Sequence, residues 1–104
     1  MDWDFKNKEL IELYTKGKSR KYKDLPQNVI TKFVARIGQI EAATNIYDLW
    51  NSPALKFEKL KGSDNLYSIR VDLKWRLEIE IQWEDDSKKR GIFFIKELSN
   101  HYGE

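Results

Sequence analysis

Residues 66–83 alternate apolar and polar side chains on both sides of a short break: Leu66-Tyr67-Ser68-Ile69-Arg70-Val71, then Asp72-Leu73-Lys74, then Trp75-Arg76-Leu77-Glu78-Ile79-Glu80-Ile81-Gln82-Trp83. Tyr67, Ile69, Val71, Trp75, Leu77, Ile79, Ile81 and Trp83 take the odd positions. A period of two predicts two half-buried strands with one face on a core. A tight hairpin at the break sets Val71 against Trp75 and Arg70 directly opposite Arg76. Like charges placed so cost roughly 0.2–1 kcal/mol. Folding gains nothing from that arrangement, whereas an anion lying across both guanidinium groups would offset it. The even-numbered face is therefore a candidate phosphate-binding surface.

Outward from the hairpin, Leu55 to Leu60 reads as a strand, followed by a turn at Gly62-Ser63-Asp64-Asn65. A polar turn over residues 84–90 leads to a further strand, Gly91 to Leu98, with Ile92-Phe93-Phe94-Ile95 at its centre. Ser99 to Glu104 reads as a polar tail. Asp2 to Phe5 suggests a short first strand. Asn7 opens a helix with Leu10, Ile11, Leu13 and Tyr14 on one side, ending near Gly17. Pro26 suits the first turn of a second helix, whose stripe is Val29, Ile30, Phe33, Val34, Ile37 and Ile40. Asn45 caps a short helical turn through Trp50, and Pro53 ends it. Between the first two helices, Lys16, Lys18, Arg20, Lys21 and Lys23 crowd a linker. That run reads either as a solvated loop or as an electrostatic contact with RNA or an acidic partner. Helices first and strands afterwards indicate an α+β fold. The expected form is a single domain over 1–104, with the N-terminal helices packed on one face of a twisted antiparallel sheet.

Composition narrows the function. Hydrophobic residues make up 40% of the chain, enough for a core without staples, and cysteine is absent, which excludes a disulfide framework and thiolate metal sites. A lone histidine, His101, excludes a multi-histidine metal site. No apolar run approaches the ~20 residues that cross a bilayer. The first residues lack a signal-peptide pattern, so no membrane association and a cytoplasmic location are expected. A net charge of +2 is too small to indicate nucleic-acid binding by itself; the distribution of charge decides more.

Several segments together resemble the HigB-type branch of the RelE/ParE toxin superfamily. They are Asp4-Phe5-Lys6-Asn7-Lys8, Leu13-Tyr14-Thr15-Lys16-Gly17, Leu25-Pro26, Lys59-Leu60-Lys61-Gly62, Tyr67-Ser68-Ile69-Arg70-Val71 and Trp75-Arg76-Leu77. His101 falls where many members carry a histidine after the last strand. The resemblance implies a RelE-like fold and the toxin of a type II toxin–antitoxin module. It also implies a ribosome-dependent messenger RNA endonuclease that needs no metal or other cofactor. The implied partners are a cognate HigA-like helix-turn-helix antitoxin and mRNA on the ribosome, with operator DNA reached only through the antitoxin.

Metal-free RNA cleavage proceeds by attack of the ribose 2′-hydroxyl on the adjacent phosphorus. The site must take the hydroxyl proton, hold charge on the phosphoryl oxygens and protonate the departing 5′-oxygen. Arginine suits the second task, because its planar fork donates paired hydrogen bonds and stays charged. Arg70 and Arg76 are assigned to the scissile phosphate; the competing reading pairs them with Glu78 and Glu80. Lys59 and Lys61, alternating with Leu60, are expected on the same polar face, where they supplement charge stabilisation or bind neighbouring phosphates, or else are solvated strand-end lysines. His101 is the candidate for proton transfer, with an unperturbed pKa near 6.5. Tyr102 is a secondary candidate, for stacking on a base or for positioning the histidine. The chain departs from the family at two places. Many members have a histidine where this chain has Glu58, which becomes a candidate base, and Asp-Tyr where it has Ser99-Asn100. Two other readings remain: a ParE-like gyrase-inhibiting toxin, and a degenerate toxin that acts as a binding partner.

Overall fold

The computed structural model describes residues 1–100 of the 104-residue chain. Short polar side chains start two of the helices where the sequence places them. Asn7 accepts the Leu10 N–H at 2.8 Å and opens α1, Lys8–Lys16. Gly17, at φ 74°, closes α1 by donating its N–H to the Leu13 carbonyl. A left-handed residue at this position is the usual way a helix ends, and glycine adopts it without a Cβ penalty. Pro26 precedes α2, Gln27–Ala42, and Asn45 caps α3, Ile46–Trp50, by accepting the Tyr47 N–H at 2.9 Å.

Five strands form one sheet: β1 Trp3–Phe5, β2 Glu58–Lys59, β3 Leu66–Arg70, β4 Arg76–Trp83 and β5 Gly91–Ser99. Their order across the sheet is β1-β5-β4-β3-β2. The expectation of an antiparallel sheet needs correction, because β1 runs parallel to β5, pairing Trp3 with Phe93 and Phe5 with Ile95. The remaining pairs are antiparallel. The strand expected over Leu55 to Leu60 also shrinks. A 3₁₀ turn occupies Pro53–Leu55, and Lys56 takes a left-handed conformation at φ 45°. That kink breaks the extended backbone, so β2 keeps two residues.

The odd-numbered strand residues are buried as their period requires. Tyr67, Ile69, Val71, Leu77, Ile79, Ile81, Phe93 and Ile95 join Leu10 and Leu13 of α1 and Phe33, Ile37 and Ile40 of α2 in one apolar cluster. Aromatic contacts tie its β1 end together, with ring centroids 5.4 Å apart for Phe5–Tyr14 and 6.2 Å for Tyr14–Phe33. A bulge on β5 leaves Lys96 unpaired opposite the Glu78–Ile79 step of β4 and moves the register by one residue, so that Leu98 still faces Leu77 in the core. Gly91 opens β5 where the chain runs close to β4. A Cβ there would sit 2.6 Å from the Gln82 carbonyl oxygen and 2.9 Å from the Ile81 Cγ2. Backbone cannot yield as a flexible side chain can, so Gly91→Ala should lower stability by about 1–3 kcal/mol, measured by chemical denaturation. Among the described residues no helix is long and apolar enough to cross a membrane.

Candidate functional site

The hairpin has the register its alternation predicts. Arg70 is the partner of Arg76, Ile69 of Leu77 and Ser68 of Glu78. The loop is held by Asp72, whose Oδ1 accepts the N–H groups of Lys74 and Trp75, both at 2.8 Å. Val71 donates its N–H to the Trp75 carbonyl at 2.8 Å. Val71–Trp75 is thus a hydrogen-bonded pair. Its neighbour Arg70–Arg76 is then of the non-hydrogen-bonded kind, in which Cα atoms approach to about 4.5 Å.

The two side chains part company from there, and the picture of two solvent-facing forks needs correction. Arg76 is only 7% exposed. It leans along β3 away from Arg70. Its Nε donates to the Ser68 hydroxyl at 2.9 Å, and its Nη2 donates to the Lys56 carbonyl at 2.5 Å. The same Nη2 lies 3.6 Å from the Glu58 carboxylate. The left-handed kink at Lys56 presents this carbonyl, so the strain that shortens β2 also supplies an acceptor for a buried cation. Ser68, fully buried, completes the cluster with its hydroxyl 3.5 Å from Glu58 Oε1. Glu58 itself stays open, its side chain 54% exposed. A buried guanidinium therefore steadies a carboxylate that solvent and ligands can reach.

Arg70 is half-buried, and its guanidinium makes no hydrogen bond or ion pair among the described residues. Its backbone is fixed from a direction the sequence does not show. β2 ends at the row of Ser68, leaving the Arg70 carbonyl on an open edge. Arg36 of α2 fills that gap, donating Nε to the Arg70 carbonyl at 2.8 Å and Nη1 to Gln39 Oε1 at 2.8 Å. Burial lowers the Arg36 pKa from the ordinary arginine value. Sequence reasoning missed Arg36. Its one signal is a cation three residues after Phe33, at the margin of an apolar stripe, and such residues are common.

Cross-strand rows give the polar face its electrostatics. Arg70, Arg76 and Ser99 form one row across β3, β4 and β5. The next row is Glu58, Ser68, Glu78 and Glu97. A phosphate would be welcome at the arginine end and repelled over the carboxylate row. Glu58 and Arg70 thus lie on one face, two residues apart along the strand direction. Lys59 does not join them. Its partner is Tyr67, on the opposite face from Glu58, and its ammonium pairs with Asp64 at 3.2 Å. Lys61 is exposed in the β2–β3 connection, beside an open depression of about 540 Å³ that Lys59 and Asp64 also line. His101 and Tyr102 lie outside the described residues.

The model of one protein family, described as the RelE-like toxin HigB of type II toxin–antitoxin systems, matches residues 3–92. No curated protein matches the chain.

Proposed function

Since the chain belongs to the HigB family of RelE-like type II toxins, we propose that it is a ribosome-dependent messenger RNA endonuclease. Family membership makes it a toxin with an antitoxin partner. The observation that carries the enzymatic reading is the exposed Glu58 carboxylate, steadied by buried Arg76, on the same face as Arg70, whose fork is unpaired among the described residues.

Each group then has a task. Glu58 takes the proton of the 2′-hydroxyl as its oxygen bonds to the adjacent phosphorus. Arg70 donates to the phosphoryl oxygens, where negative charge gathers. Arg76 holds the base in place and adds positive potential beneath it. His101, two residues past Ser99 in the chain, gives a proton to the 5′-oxygen as the P–O5′ bond breaks. The products are a 2′,3′-cyclic phosphate and a free 5′-hydroxyl. Lys61 and Tyr102 serve neighbouring phosphates and bases. Lys59, on the other face and paired with Asp64, is a weaker candidate for that work. In this reading the protein acts in the cytoplasm on mRNA held by the ribosome, a helix-turn-helix antitoxin of the HigA type restrains it, and operator DNA is reached only through that antitoxin.

Purified ribosomes translating a defined message provide the test. The parent protein should cut the message, and Glu58→Gln should slow cutting about 100- to 10,000-fold, the usual contribution of a positioned base. A message left intact by the parent protein, with DNA-damage signalling on expression in cells, would instead identify a gyrase inhibitor.

A further inference from the structure

The basic linker between α1 and α2 is a built surface. Tyr22, 7% exposed, anchors it; its hydroxyl accepts the Leu98 N–H of β5 at 3.4 Å. The Tyr22 N–H donates back to the Ser19 carbonyl at 3.1 Å, which closes a turn around residues 19–22. Around these two buried residues the cations are left in solvent: Lys18, Arg20, Lys21 and Lys23 are all exposed. Two adjoining depressions, of about 510 and 460 Å³, share Glu12, Ser19 and Arg20 in their walls. Six lysines and arginines line them against two carboxylates, Glu9 and Glu12. Lys21 is partly committed, with its ammonium 3.9 Å from Glu97.

A second observation points to a ligand. Ser19 is 5% exposed, and its buried hydroxyl has no hydrogen-bond partner among the described residues. A buried hydroxyl without a partner costs stability, so such groups are rare. Here the orphan lies in the wall shared by two cationic depressions. Ser19 shares the wall of the second depression with Lys18, Arg20 and Lys23.

Building on the endonuclease reading, we propose that this linker is a second RNA site, which binds the phosphodiester backbone away from the cutting face. The site reads charge and carries no base specificity. Fixing the cations on an anchored turn lowers the ordering cost of each phosphate contact. The source of the backbone is either the message or the structural RNA of the ribosome.

The test uses a 2′-O-methyl oligoribonucleotide, which has no free 2′-hydroxyl to attack, and separately vacant ribosomes. Binding of each is measured from 50 to 200 mM salt. The variant Lys18→Gln/Arg20→Gln/Lys23→Gln removes three contacts, so the log–log salt slope should fall by about 2 for single-stranded RNA. Ser19→Ala should weaken binding several-fold while the thermal midpoint holds or rises, which a merely structural serine would not do. Loss with the oligonucleotide assigns the site to the message, and loss with ribosomes alone assigns it to ribosomal RNA. Unchanged slope and affinity for both overturn the proposal, as does a loss confined to antitoxin binding, which would mark an acidic protein as the ligand. The two readings fail separately. A parent protein that cuts message while the triple variant keeps its salt slope lacks the second site only. A parent protein that binds RNA through this linker and never cuts lacks the endonuclease only.

Discussion

Arg70→Ala will slow cleavage of translated message about 100- to 1,000-fold and leave stability within about 0.5 kcal/mol of the parent. The two halves of that expectation have separate causes. The Arg70 guanidinium makes no hydrogen bond or ion pair among the described residues, so its removal breaks no contact that holds the fold. Removing it also relieves the like-charge pairing with Arg76 across the hairpin. The strand is unaffected, because Arg36 holds Arg70 through its backbone carbonyl, which alanine retains. What is lost is a fork aimed at charge that develops only in the transition state. The deficit should therefore appear in the cleavage rate, with ribosome affinity nearly unchanged. Arg70→Lys should recover part of the rate, since a point charge replaces the fork without its paired geometry. Undiminished cutting by Arg70→Ala would remove Arg70 from the reaction.

Arg76→Ala, six residues further along the chain, should behave in the opposite way. It is expected to cost about 3 kcal/mol, because it strands buried polar groups. The Ser68 hydroxyl and the Lys56 carbonyl lose their donor, and Glu58 loses its counter-charge. For a domain of about this size, that loss lowers the thermal midpoint by roughly 12–24 °C. Cutting should fall as well, since the base is no longer held. Measuring the rate well below the lowered midpoint separates the two effects. Arg76→Lys keeps the charge and loses the fork, and an intermediate midpoint is expected. A midpoint unchanged in Arg76→Ala would refute the account of this residue as a buried anchor. The pair of arginines thus divides into one that works on the ligand and one that works through Glu58.

The hairpin was legible because two constraints act locally. Side chains on a strand alternate with a fixed period, and a three-residue loop leaves few registers. Together they set Arg70 against Arg76 before any tertiary contact is considered. The capped starts of α1 and α3 were legible for the same reason, since a cap is a bond between residues two or three positions apart. Glu58 was visible as a departure from a family pattern, but its connection to Arg76 was not. That connection spans β2 and β4, with the Ser68 strand between them.

Alternation along 66–83 and the helical stripes upstream determined the elements, the hairpin register and the residues that share a face. Backbone geometry enforces those features residue by residue. The parallel pairing of β1 with β5, the burial of Arg76 beneath the Lys56 carbonyl, the Arg36 contact and the enclosed Ser19 hydroxyl came only from the folded chain. Each joins segments whose meeting depends on how the sheet and helices close on one another. Local periodicity says which way a side chain points, and only the packed neighbours decide whether it meets solvent, a ligand or another part of the protein.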